Sequence, residues 1–159
     1  MASVTFITVG TLKEDYLKSA ILEYTKRISQ YAKVEEVNIK ESKIADEDNA
    51  QEIKKALEEE GEKILSKIPK DAYKVALCVE GTMLDSVALA SLLQSAGDKS
   101  GKIAFIIGSS HGLSDTVKRA ADTRLSFSKL TFPHQLMRVI LAEAVYRSFT
   151  IIAGKRYHK

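Results

Sequence analysis

The chain has few of the residues that break or staple structure. Among its 159 residues are two prolines, eight glycines and no tryptophan. So few breakers exclude collagen-like, low-complexity and disordered chains and put most of the sequence in regular helices and strands. The single cysteine, Cys78, rules out an intrachain disulfide; set in an apolar strand, it suits a reducing compartment, so a cytoplasmic protein is expected. No apolar run approaches the roughly 18 residues of a membrane span. Met1 to Gly10 reads as a strand, without a leader's basic region and cleavage site. Neither the P-loop nor the dinucleotide-binding glycine fingerprint occurs, and no nucleophile elbow supports a serine hydrolase. The three histidines, His111, His134 and His158, have no metal-ligand spacing, so no metal is expected.

The hydrophobic share, 45%, is enough for one core, and a single domain over residues 1–159 is expected. Strand-like segments are Ser3–Val9, Lys33–Ile39, Tyr73–Val79, the nearly continuous apolar run Lys102–Ile107, and the short Arg124–Ser126. Between them lie helical patterns from about Lys13 to Tyr31, from the polar loop Lys40–Glu47 onward to Ile68 before Pro69, over Asp85–Ala96, and over Asp115–Ala121. This alternation implies an α/β domain with a mostly parallel sheet and helices on both faces. The last helix, Leu136–Ile152, is apolar almost all round. One sheet face cannot bury that circumference, so a homodimer packed on this helix is expected.

Net charge is only +3, but it is unevenly placed. From Lys118 to Lys159 nine Lys and Arg face only Asp122 and Glu143, a balance that suits a polyanion such as RNA and also an ordinary solvated surface. The segments after Leu77, Ile107 and Ser126 all emerge at the carboxyl ends of strands, where open parallel sheets bind ligands. Gly108 to Ser114 reads either as a tight turn or as a loop that lets backbone approach an anion. His134 reads as a helix-start residue. His158, flanked by Tyr157 and Lys159, has no evident packing reason.

The runs Phe105-Ile-Ile-Gly-Ser-Ser-His-Gly-Leu113 and Leu125-Ser-Phe-Ser-Lys-Leu-Thr-Phe-Pro-His-Gln-Leu-Met-Arg138, with the ending Tyr157-His-Lys159, resemble the ribosomal RNA large subunit methyltransferase H (RlmH) family of the SPOUT superfamily. Val9-Gly-Thr-Leu-Lys13 stands at the family's usual opening, and the loop after Ile107 departs slightly, with Ser109 and His111 where the family often has glycine or asparagine. The resemblance implies a C-terminal trefoil knot, with Phe127–Pro133 threaded through a preceding loop. It implies S-adenosylmethionine as methyl donor, held by Leu77, Gly108, Phe127, Ser128, Lys129, Leu130, Thr131 and Phe132. It also implies a homodimer through the knot helices, and methyl transfer to N3 of a pseudouridine in 23S rRNA on assembled ribosomes, without a metal. Such a transfer needs a proton acceptor or a cation beside the imide. His158 suits the proton, Tyr157 the stacking or hydrogen bonding of the target base, and Arg138 a phosphate or imide anion, with a buried ion pair at the dimer contact as its alternative role. Two other readings stay open: a SPOUT methyltransferase with another RNA target, and a non-catalytic RNA-binding module.

Overall fold

In the computed structural model, which describes residues 2–159, five strands form one sheet in the order β2-β1-β4-β3-β5, with every neighbour parallel. The strands are β1 (Ala2–Val9), β2 (Ala32–Ile39), β3 (Tyr73–Met83), β4 (Lys102–Ile107) and β5 (Thr123–Ser126). The helices are α1 (Asp15–Ile28), α2 (Ala50–Lys67), α3 (Ser86–Ser100), α4 (Asp115–Ala120) and α5 (His134–Ile152). β4 explains why both faces are covered. Its Ile103, Phe105 and Ile107 point to one side and Ala104 and Ile106 to the other, all buried, as the two-residue period of a strand requires. On the first side Phe105 stacks on Phe6 at 5.7 Å, and α1, α3 and α5 close the layer through Ile28, Leu93, Leu141, Val145 and Phe149. On the second, α2 and α4 bring Ile64 and Val117 onto Ile7, Ala76 and Ile106.

Caps set the helix starts. Asn49 accepts from the amides of Gln51 and Glu52, Asp85 from Ala88, and Ser114 from Val117. α3 runs on past Ala96 and stops where Gly101 takes a left-handed φ of +68°. Gly61, inside α2, has a packing reason: a Cβ there would stand 2.5 Å from Ser114 Oγ.

Two expectations are revised. β3 extends past Val79 to Met83, because Leu77 and Thr82 both pair with Leu125 and the four residues between them have no partner on β5. Gly81 permits this bulge, since a Cβ there would lie 2.8 Å from the backbone of Arg124 and Leu125. α5, in turn, packs between α1 and α3, and its own chain buries much of the circumference assigned to a partner. Exposed apolar side chains remain at Val79, Met83, Leu84, Val87, Leu130 and Leu136, near the carboxyl end of the sheet and the start of α5. Among the described residues no helix is long and apolar enough to cross a membrane.

Candidate functional site

The carboxyl ends of β3, β4 and β5 open into a cleft of about 690 Å³, within the usual range for a small-molecule site. Its walls are Leu77–Glu80 from the β3 bulge, Ile107–Leu113 after β4, and Leu125–Ser128 with Leu130–Pro133 after β5; His134 and Met137 of α5 close one side. The three segments expected at one sheet edge therefore meet there. Leu77, Gly108, Phe127, Ser128, Leu130, Thr131 and Phe132 all line the cleft, while Lys129 lies outside its wall.

Gly108 serves the turn. Its φ is not positive, and a Cβ on it would stand 2.1 Å from the carbonyl oxygen of Gly112. The positive φ belongs to Gly112, at +89°, whose amide donates to the Ser109 carbonyl at 2.9 Å. The loop is thus a closed turn that exposes its outer backbone to the cleft. At the rim Lys118 pairs with Glu80 at 2.6 Å, which holds the carboxyl below and the amine above their ordinary values. Burial pushes the Cys78 thiol up, so it sits in the wall as a neutral group. Burial, with Arg138 nearby, pulls the His134 imidazole down, leaving it neutral at pH 7. Residue-type reasoning found the loops but missed the Glu80–Lys118 pair and the inward placement of His134; Gly81 inside an otherwise regular strand was the available sign of the bulge.

The three residues assigned to chemistry lie elsewhere. Arg138 is buried between α5 and β1, where its Nη2 donates to the carbonyls of Val9 and Gly10 at 2.7 and 2.8 Å; its Nε has no partner. Tyr157 and His158 fold back along α5 onto Glu143, Tyr146 and Arg147. The Tyr157 ring meets Tyr146 edge-on at 4.7 Å and carries the Arg147 guanidinium above it at 4.8 Å. Its hydroxyl donates to Glu143, and burial followed by that carboxylate pushes its pKa up to about 12. Arg147 reaches His158 Nδ1 at 3.3 Å. A guanidinium only donates, so Nδ1 is the acceptor in this contact. The tail is therefore packed, with a reason that residue types alone did not show. α5 has 19 residues and is about 28 Å long. Its first residue lines the cleft, and the tail packs on its middle turns, at Glu143, Tyr146 and Arg147.

Backbone groups, hydroxyls and apolar side chains with a neutral imidazole make a cleft suited to a compact polar ligand with an apolar part. A family model described as predicted SPOUT methyltransferase matches residues 2–158. Ribosomal RNA large subunit methyltransferase H of Bacillus pumilus (strain SAFR-032) is 48% identical over 158 residues, covering 99% of both chains. The protein of the same name from Caldicellulosiruptor saccharolyticus is 46% identical over 156 residues, covering 98% of this chain and 99% of its own. Among solved structures, a probable methyltransferase from Bordetella pertussis Tohama I aligns with a TM-score of 0.56 at 14% identity, over 93% of this chain and 95% of its own. A tRNA (m1G37) methyltransferase from Aquifex aeolicus aligns with a TM-score of 0.51 at 16% identity, over 91% and 69% respectively. At these identities the structures show a shared fold.

Proposed function

The chain belongs to the SPOUT methyltransferase family and its ribosomal RNA large subunit methyltransferase H group, and on that footing we propose that it transfers a methyl group from S-adenosylmethionine to N3 of a pseudouridine in 23S rRNA of the assembled ribosome. The observation that carries this is the convergence of three loops, after β3, β4 and β5, on one cleft. The strand order β4-β3-β5 and the return of α5 to the face that holds α1 and α3 are consistent with the trefoil knot of SPOUT chains.

S-adenosylmethionine, when bound, supplies a methyl group made electrophilic by its sulfonium. Leu77, Gly108, Phe127, Ser128 and Leu130–Phe132 would hold it, the hydroxyls of Ser128 and Thr131 adding polar partners in the cleft wall, while Lys129, expected with them, lies outside that wall. The protein must exclude water there and remove the imide proton as the new C–N bond forms. We assign the proton to His158, with Tyr157 against the target base and Lys155 and Arg156 toward phosphates. In its docked position His158 already accepts from Arg147 at Nδ1, so taking the proton there requires release from Arg147. Arg138 acts through the β1–α1 turn that it holds. Arg119, Arg124 and Lys129, exposed and without an ion-pair partner among the described residues, suit the RNA backbone.

Tyr157 and His158 are held by Glu143, Tyr146 and Arg147, none of which lines their own cleft. A second copy, packed on the exposed Val79, Val87, Leu130 and Leu136, is proposed to bring its tail to this one, which makes the homodimer part of the chemistry. The test is to map methylation of 23S rRNA with and without the gene, beside calorimetry of S-adenosylmethionine on the purified protein. Loss of one N3-methylated pseudouridine together with measurable binding is expected. A different missing nucleotide would reassign the target, and absence of binding would leave an RNA-binding module.

A further inference from the structure

One buried acid has no part in this chemistry. Glu60, in the second half of α2, is 3% exposed, and among the described residues no cation lies within ion-pair distance of it. A lone buried carboxyl is costly unless hydrogen bonds compensate it. Here its Oε2 accepts the amide N–H of Ser42, in the loop between β2 and α2, at 2.8 Å. Burial pushes this carboxyl above its ordinary range, and the Ser42 amide and the hydroxyl of Ser109, buried in the turn after β4, draw it back. One side chain on a third element thus bonds one loop and faces the other. The charged and titratable groups facing it are Glu41, from the first loop, and His111, from the second.

Two further contacts join the same parts. His111, in the cleft wall, meets Glu47 at 2.7 Å, and Gly61, the next residue of α2, leaves space for Ser114. Glu41 stands beside Gly10, whose carbonyl Arg138 holds.

We propose that Glu60 is a positioning residue that couples the turn after β4 to the β2–α2 loop, so that filling the cleft orders residues 41–47 at its rim. This rests on the S-adenosylmethionine reading above. Ser42 can only donate, while Ser109 can donate or accept, so glutamine at position 60 preserves both contacts without the charge and alanine removes both. The experiment is hydrogen exchange by mass spectrometry, with calorimetry, on the full chain with and without S-adenosylmethionine. In the wild type and Glu60→Gln, binding is expected to slow exchange over 108–113 and over 41–47. In Glu60→Ala the second protection is lost and Kd rises about tenfold, while protection of β4 and α5 stays at wild-type level. Should Glu60→Ala fail to fold, Ser109→Ala, which removes one arm only, is expected to show the same loss over 41–47. The proposal is overturned if ligand protects 108–113 in the wild type and leaves 41–47 unchanged, or if the folded variant keeps both protection and affinity. A wild-type protein that binds no S-adenosylmethionine overturns the cofactor reading and this proposal with it.

Discussion

Arg138 and His134 sit one turn apart on α5 and meet opposite fates. The Arg138 guanidinium is committed to two backbone carbonyls. Arg138→Lys, whose ammonium lacks the planar fork, should therefore lose about 1–3 kcal/mol of stability in urea titration; lost methyl transfer at unchanged stability would make Arg138 a substrate contact instead. His134 is held below its ordinary value of 6.5, first by burial and then by Arg138. Its folded form binds protons less readily than the unfolded chain, so stability falls as pH drops below 6.5. His134→Gln should flatten that part of the melting-temperature profile, and an unchanged slope would show that other groups set it. Gly108→Val places a branched side chain where even a Cβ meets the Gly112 carbonyl at 2.1 Å. The turn has to open, and S-adenosylmethionine binding should be lost in calorimetry while the far-UV circular dichroism of the sheet and helices is kept.

The tail and α5 are the elements on which the chemistry turns. Deleting Tyr157–Lys159 removes one half-buried ring from the edge of Tyr146 and one donor from Glu143, outside the buried core. The protein should stay folded with cofactor affinity within a few-fold of normal, while single-turnover transfer to ribosomes falls about a hundredfold or more; wild-type rates would remove the tail from the mechanism. Leu136→Asp separates two accounts of the exposed apolar patch. In a monomer the change is a surface substitution worth about 0.5 kcal/mol or less, whereas in a dimer packed there it buries a charge and should release monomers in sedimentation. The amphipathic helices were legible because their apolar residues recur at three- and four-residue steps, and β4 because the run Ile103–Ile107 is short, apolar without a break and bounded by Gly101 and Gly108. The packing of α5 was not, because its apolar residues cover every azimuth and a sequence cannot say whether α1, α3 or another molecule takes each side. The β3 bulge escaped for a related reason: its residues keep strand composition after they lose their partner on β5. The packing of Tyr157 and His158 was not legible because the aromatic and cationic groups that seat them, Tyr146 and Arg147, belong to the preceding helix.

At the scale of the whole molecule, the cleft was legible because parallel strands send their carboxyl ends to one edge, whatever the details of their loops. Its distance from the tail was not, since that depends on which way α5 runs across the sheet. The distance has a testable consequence in mixed oligomers. Subunits carrying Gly108→Val and subunits lacking Tyr157–Lys159 should each be inactive alone. Coexpressed, random pairing gives one intact site in half of the dimers, or about a quarter of wild-type sites; no recovery would place tail and cleft in the same chain. The strand order carries a different consequence, for how the protein is made. β4 lies between β1 and β3, both of which leave the ribosome before it. Until residue 107 has emerged, the β4-facing edges of both earlier strands stand open, and β3 also lacks β5, which is made later still. Folding must therefore wait on late-arriving chain, which favours slow refolding from denaturant and leaves nascent chains stopped before β4 with the inner edge of β1 and both edges of β3 free to pair wrongly.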